Sequence, residues 1–175
     1  MGVSVLLSLL QSPLEPVQSA VFVSGTPKFV TSYDFHHGLP PAELRKITMD
    51  IKNNFLKGMQ NFYSLLFKGE EVSQEQFVEV TRHITHDVAL PPSYVALQCL
   101  ESLGRSDYRD GLKNIHIPVL VTHGANDGVC RADAARFMAD QLPNSELEIF
   151  DGVAHAPFLT RADAFNARVS QFLDR

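Results

Sequence analysis

The sequence has few of the features that mark disulfide-rich, nucleic-acid-binding or membrane-spanning proteins. Only two of its 175 residues are cysteines, Cys99 and Cys130, which excludes a disulfide framework and predicts reduced thiols in a cytoplasmic protein. It has no run of five basic residues and its net charge is −5, so no basic stripe is available for a nucleic-acid backbone. The apolar run from Val3 to Leu10 ends at Pro13, which is too short for a membrane span.

The hydrophobic pattern that is present alternates between strands and helices, in the order of an α/β protein. With 45% hydrophobic and 20% charged residues, we expect a globular chain that buries a real core. Continuous apolar centres predict parallel strands that are covered on both faces. The predicted elements are a helix at 3–11, a strand at 17–24, helices within 40–104, a strand at 117–122, a helix at 131–141, a strand at 146–150 and a helix at 161–173.

The segment from 40 to 104 differs from its surroundings because it is helical throughout. One helix is predicted from Pro40, with apolar residues at spacings of three and four as far as Leu66. A capping box at 73–76 predicts a second helix, and a third is predicted at 93–103. We therefore expect residues 1–39 and 105–175 to form a partial α/β core, and residues 40–104 to form a helical lid inserted between its strands.

Two polar residues follow the last two predicted strands. Asp127 lies in an Asn-Asp-Gly turn, and His155 lies on the loop after the next strand. Each one alone is explained without chemistry, since Asn-Asp-Gly is a common turn and a loop histidine can bond to the backbone. Because the carboxyl ends of neighbouring parallel strands share one edge of a sheet, the two side chains are expected to meet there. A carboxylate in that place would fix the imidazole tautomer and stabilise its protonated form, which predicts a catalytic acid and base.

Three segments resemble one enzyme family. They are Ala154–His155–Ala156–Pro157–Phe158, Val23–Ser24–Gly25–Thr26–Pro27 and, at the end of the helical segment, Ala89–Leu90–Pro91. With the acid preceding the histidine, the chain resembles the α/β-hydrolases, and within them the pimeloyl-acyl-carrier-protein methyl ester esterases of biotin synthesis. The resemblance implies the C-terminal part of an α/β-hydrolase parallel sheet with an all-helical lid, in which Asp127 is the triad acid and His155 the general base.

The resembled family has a nucleophilic serine in a G-x-S-x-G elbow, and the sequence shows no counterpart in a credible setting. Met1 and Gly2 match the last two positions of that elbow, so the nucleophile would fall one position before Met1. Met1 would then supply one main-chain amide of the oxyanion hole. We therefore expect a truncated chain that is inactive alone. Ser4 is the alternative nucleophile, but Leu6 stands where the motif has its second glycine and no strand precedes it.

The activity implied by the resemblance is that of a serine carboxylester hydrolase for an acyl methyl ester, with pimeloyl-acyl-carrier-protein methyl ester as the implied substrate. Phe29, Phe35, Phe62 and Phe158 are candidates for an acyl pocket, although core packing explains most aromatics at helical spacing. No metal or organic cofactor is implied. The expected partner is a small acyl ester, which is carried on an acyl carrier protein in the implied reaction. We expect neither nucleic acid nor a membrane as a partner. A carbon–carbon bond hydrolase, a perhydrolase and a truncated, non-catalytic binding protein remain open, because an acid–base pair does not separate them.

Overall fold

A three-stranded parallel sheet lies at the centre of the fold. Its strands are β1 (Ala20–Val23), β2 (Val119–Gly124) and β3 (Ser145–Phe150), with β2 between the other two. The structure is a computed structural model that describes residues 1–11, 17–70, 72–73, 75, 78, 82 and 90–175. All six residues of β2 are buried, as is typical of a central strand in a parallel sheet. The parallel α/β fold predicted from the apolar runs is confirmed.

Helices alternate with these strands along the chain. Leu7, Phe22 and Met138 are fully buried where the first helix, β1 and the helix after β2 meet. Burying a side chain of this size contributes about 1.5–3 kcal/mol, so this cluster is a main support of the sheet. In chain order the helices are α1 (Gly2–Leu10), α2 (Pro41–Asn53), α3 (Phe55–Leu66), α4 (Ser93–Arg105), a 3-10 helix (Arg109–Asn114), α5 (Ala132–Gln141), α6 (Pro157–Thr160) and α7 (Ala162–Leu173).

Helices α2, α3 and α4, which we call the cap, lie between β1 and β2 in the chain. Their apolar faces meet in a second buried cluster that includes Ile47, Met59 and Leu100. Helices α2 and α3 approach each other so closely at Gly58 that a Cβ atom there would overlap the main chain of Ile51. The cap is therefore held by its own core as well as by its contacts with the rest of the chain.

The first cap helix predicted from the sequence is two helices in the structure. Helix α2 ends at Asn53, Asn54 is extended with φ −152° and ψ 102°, and α3 begins at Phe55. The side-chain oxygen of Asn54 accepts a hydrogen bond from the N–H of Lys57 at 3.1 Å. The apolar spacing continues across this break, so periodicity alone does not reveal it. The available signal was the asparagine, which is a favoured residue at the start of a helix.

The other differences are two short helices that the sequence did not predict, Arg109–Asn114 and Pro157–Thr160, and the ends of strands and helices. Strand β2 begins after Pro118, which has no N–H to donate, and continues through His123 and Gly124, where the sequence predicted its end. The capping box at 73–76 and the helix predicted after it lie outside the described residues, apart from Ser73, Glu75 and two later positions. Within the described part of the chain, no helix has the length and apolar character that crossing a membrane requires.

Candidate active site

Asp127 lies three residues beyond β2, in a tight turn that its own side chain stabilises. Its Oδ1 accepts hydrogen bonds from the main-chain N–H groups of Val129 and Cys130, both at 2.9 Å. The side chain is completely buried. The Asn-Asp-Gly turn is thus present, and the hydrogen bonds that form it leave Oδ2 for other partners.

His155, on the loop after β3, is the first of those partners. Its Nδ1 lies 2.7 Å from Oδ2 of Asp127, and about a quarter of the His155 side chain is exposed. Because the ionised carboxylate only accepts, Nδ1 carries the proton in the neutral imidazole, and Nε2 is left as an acceptor. The two residues that the sequence assigned to one edge of the sheet are in hydrogen-bond contact there.

A second histidine contacts the same carboxylate. His123, on β2, is completely buried, and its Nε2 lies 3.2 Å from Oδ2 of Asp127 and 2.5 Å from the carbonyl oxygen of Cys130. Both of these oxygens accept, so Nε2 of His123 carries the proton. Burial alone would raise the pKa of Asp127, but hydrogen bonds from His123 and His155 outweigh burial and lower that pKa to about 2. Asp127 is therefore ionised at neutral pH.

Main-chain contacts fix the distance between the loops that carry Asp127 and His155. The N–H of Ala125 donates to the carbonyl of Phe150 at 2.9 Å, and the N–H of Asn126 donates to that of Val153 at 2.8 Å. At Gly124 the end of β2 passes so close to the second loop that a Cβ atom would overlap the carbonyl oxygen of Ala154. The separation of Asp127 and His155 thus depends on the backbone of both loops as well as on side-chain packing.

Two cavities meet at His155. The first, of about 280 Å³, lies beneath the cap, and the second, of about 420 Å³, lies beside β1 and α1. Met1 also borders both cavities. The imidazole is therefore accessible from an apolar chamber and from the side of β1. The first cavity is lined by Met1, Ile51, Met59, Phe62, Leu66, Pro91, Ala96, Cys99, Leu100, Leu103 and His155.

Solved structures share this architecture. The chain superposes on an esterase from Exiguobacterium antarcticum with a TM-score of 0.86 and 23% sequence identity, covering 98% of this chain and 63% of that one. It superposes on a bromoperoxidase from Bacillus anthracis with a TM-score of 0.87 and 22% identity, covering 100% of this chain and 65% of that one. At such identities the likeness establishes the fold alone. No family model matches the chain.

Sequence comparison identifies relatives that share one name. The chain is 32% identical over 157 residues to the pimeloyl-acyl-carrier-protein methyl ester esterase of Nitrosomonas europaea, covering 89% of this chain and 61% of the relative. It is 31% identical over 159 residues to the esterase of the same name from Vibrio cholerae, covering 91% and 62% respectively. The chain has the α/β-hydrolase fold, and its sequence is similar to these esterases over about nine tenths of its length. It spans about three fifths of the length of the curated relatives that it matches.

Two of the four candidate pocket phenylalanines border a cavity at His155. Phe62 lines the apolar cavity beneath the cap, and Phe158 lines the cavity beside β1. Phe29 is buried in the cap cluster, and Phe35 packs edge-on against the ring of Phe137. Neither phenylalanine borders either of these two cavities. The sequence could not separate the two pairs, because a core position and a pocket wall both select apolar aromatic residues.

Ser4, the alternative nucleophile, borders neither of the two cavities at His155. It borders a third cavity, whose lining residues include Ser8, Ser102 and Tyr108 but neither Asp127 nor His155. Sequence reasoning did not single out Ser24, which borders the cavity beside β1. This residue is buried and has a φ of +48°. Its Oγ has no hydrogen-bond partner among the described residues. A serine before glycine at a strand end was the available signal.

Cys130 lies close to the acid and base, but its setting does not activate it. Burial, and then the negative charge of Asp127, raises the pKa of the Cys130 thiol, so the sulfur stays protonated at neutral pH. Ligand atoms of Asp127, Cys130 and His155 lie within 4.8 Å of one another, close enough to hold a metal ion. An ion there would need the ionised thiol and would compete with the hydrogen bonds that Asp127 already accepts.

Proposed function

We propose that this chain supplies the acid and the base of a serine carboxylester hydrolase. The observation that carries the proposal is the Asp127–His155 hydrogen bond of 2.7 Å at the mouth of an apolar cavity. The buried, ionised carboxylate holds the imidazole in the tautomer whose Nε2 accepts a proton. The cap then acts as the lid of the enzyme, and its apolar underside as the wall of the acyl site. The free thiols of Cys99 and Cys130 suit a protein of the reducing cytoplasm.

The chemistry follows from the tautomer of His155. A serine hydroxyl attacks the ester carbonyl while Nε2 of His155 takes its proton, and Asp127 stabilises the imidazolium that forms. The imidazolium returns that proton to the departing alkoxide, so methanol leaves and an acyl-enzyme remains. Water, deprotonated by the same nitrogen, then releases the free acid and restores the serine.

The attacking serine is not Ser4 in this proposal. Ser4 lines a cavity that neither Asp127 nor His155 borders, so its hydroxyl does not share the reaction space with the base. We accordingly propose that these 175 residues hold the acid and base, and that a G-x-S elbow completes the site.

We propose an acyl methyl ester as the substrate, and pimeloyl-acyl-carrier-protein methyl ester in particular. The cavity beneath the cap is walled by methionine, phenylalanine, leucine and isoleucine side chains, which favour a hydrocarbon chain. The relatives from Nitrosomonas europaea and Vibrio cholerae bear the name of this activity. Four exposed basic residues on α2 and α3 offer a surface for an acidic carrier protein: Arg45, Lys46, Lys52 and Lys57.

The proposal is tested by completing the site. The chain is co-expressed with the part of the Nitrosomonas europaea esterase that its match leaves uncovered, about two fifths of that protein. We expect the pair to hydrolyse methyl esters of medium-length acids and to label with a fluorophosphonate on the supplied serine. The 175-residue chain alone should remain unlabelled. Robust hydrolysis by the chain alone that Ser4→Ala abolishes would contradict this assignment.

The same assay separates the competing functions. In one alternative outcome, the completed pair leaves methyl esters intact but cleaves a carbon–carbon bond or forms a peracid. In that case, the proposed esterase activity would be replaced by another α/β-hydrolase activity. A completed pair that binds acyl esters but neither hydrolyses them nor labels would make the protein a non-catalytic binder. His155→Gln in the completed pair is the control that ties any hydrolysis to this site.

A further inference from the structure

The end of the cap helix α3 contacts both loops of the acid–base pair. The carbonyl of Leu66 accepts a hydrogen bond from the main-chain N–H of His155 at 3.0 Å. The carbonyl of Gly69 accepts one from the side-chain amide of Asn126, next to Asp127, at 2.7 Å. The carboxylate of Glu70 accepts one from the N–H of Ala154 at 2.9 Å. We call Leu66, Gly69 and Glu70 the clamp, because these three residues tie the cap to the loops that carry the acid and the base.

Glu70 is the unusual member of the clamp. Its side chain has no exposed surface, and its Oε1 has no hydrogen-bond partner among the described residues. Nη1 of Arg161 lies 4.0 Å from Oε1, on a side chain that is 42% exposed. Among the described residues, the hydrogen bond that the Glu70 side chain makes is the one to the N–H of Ala154, the neighbour of His155. This buried hydrogen bond connects the end of α3 to the loop that carries His155.

The clamp also borders the space that the substrate would enter. Leu66 lines the apolar cavity beneath the cap together with Phe62 and His155 itself. The residue whose carbonyl holds the His155 N–H is thus also a wall of the acyl site. Any displacement of the end of α3 moves both the cavity wall and the main chain of the base.

We propose that Glu70 is a positioning residue, which holds the main chain of Ala154 so that the ring of His155 stays aligned with Asp127 only while the cap is in place. The proposal rests on the function proposed above for the acid–base pair. Glu70 does not touch the reacting atoms. It acts through the backbone of the loop, and a displacement of about 1 Å at a base costs on the order of 100-fold in turnover.

The first test reads the alignment without any reaction. In ¹⁵N-histidine-labelled chain, the His155 Nδ1 proton shared with Asp127 should give a proton resonance downfield of the amides, and His155→Gln should remove it. We expect Glu70→Ala and Glu70→Asp to broaden or abolish this resonance, because neither side chain brings an oxygen to the Ala154 N–H. Glu70→Gln should retain it, because its amide oxygen can accept the same hydrogen bond. Glu101→Ala is the matched control, since Glu101 is exposed on α4 and pairs with Arg105 in the described part of the chain.

Each outcome decides the proposal. A resonance that persists in both Glu70→Ala and Glu70→Asp would overturn it, as would the absence of the resonance from the unsubstituted chain. If Glu70→Ala does not fold, Glu70→Asp and Glu70→Gln still give opposite predictions, and equal spectra from these two would refute the positioning role. Thermal melts of all variants establish that the spectra compare folded proteins.

The second test uses the completed enzyme. Glu70→Ala should lower kcat on a methyl ester by about 100-fold while KM changes by less than about threefold, and Glu70→Gln should recover most of the loss. A rise in KM with kcat intact would assign Glu70 to substrate binding and overturn the positioning role. If no form hydrolyses esters, the proposed function fails, and the histidine resonance still decides the role of Glu70.

Discussion

Replacing Asp127 by asparagine should remove about 2 kcal/mol of stability that depends on pH. The pKa of this carboxyl is lowered from 3.8 to about 2 in the folded chain, against the effect of its burial, by hydrogen bonds from His123 and His155. Each unit of pKa difference between the folded and unfolded chains corresponds to about 1.36 kcal/mol, which gives about 2 kcal/mol for this shift. Because the folded pKa is the lower one, this contribution is present above about pH 4 and is lost as the pH falls through about 2.

The geometry makes asparagine a clean substitution. Its side-chain oxygen can still accept from the N–H groups of Val129 and Cys130, so the turn is preserved. Its amide nitrogen then faces the N–H groups of His123 and His155, where the carboxylate had accepted two hydrogen bonds. The substitution therefore removes the charge and the histidine contacts while it keeps the local fold.

The assay is urea unfolding followed by far-ultraviolet circular dichroism, since the sequence has no tryptophan for fluorescence. We expect the unsubstituted chain to lose about 2 kcal/mol between pH 5 and pH 2 relative to Asp127→Asn. Asp151→Asn serves as the control, because Asp151 is exposed in the turn after β3. Unfolding free energies of the unsubstituted chain and Asp127→Asn that stay parallel from pH 5 to pH 2 would refute the electrostatic account of the site.

Three further predictions concern the completed enzyme. His155→Gln should lower kcat by about 10⁶-fold in ester hydrolysis while the melting temperature changes little, because a side chain at a cavity mouth contributes little to the core. Phe62→Ala should lower kcat/KM for medium-length acyl esters about 10-fold and leave kcat/KM for acetyl esters unchanged. Leu56→Ala, on the exposed side of α3, is the control. Equal losses on both esters would contradict the assignment of Phe62 to the pocket. Lys52→Glu should raise KM for the carrier-bound ester but not for the free methyl ester, and Lys113→Glu, outside the cap, should change neither.

The sequence predicted those features of the site that follow from topology. Asp127 and His155 follow consecutive parallel strands, and such strands end at one edge of a sheet whatever the details of packing. The three strands were predictable for a similar reason, since a buried parallel strand needs a continuous apolar run. Their ends were less accurate, because Pro118 and Gly124 change hydrogen bonding and steric contact without changing the apolar pattern.

Features that depend on contacts between distant segments were not predictable. Glu70 meets Ala154, 84 residues away along the chain, and nothing in the local pattern of either segment indicates this hydrogen bond. Phe62 borders the cavity at His155 and Phe29 does not, although both lie in apolar surroundings.

The close approach at Gly124 joins the two loops through their main chains. Their spacing depends on main-chain hydrogen bonds between them and on a residue that has no side chain. A designer who grafts this site onto another parallel sheet would need to carry both loops, the glycine and the end of α3 together. In a randomised library, position 124 would tolerate the least variation, since even alanine would push Ala154, and with it the neighbouring base, away from the acid.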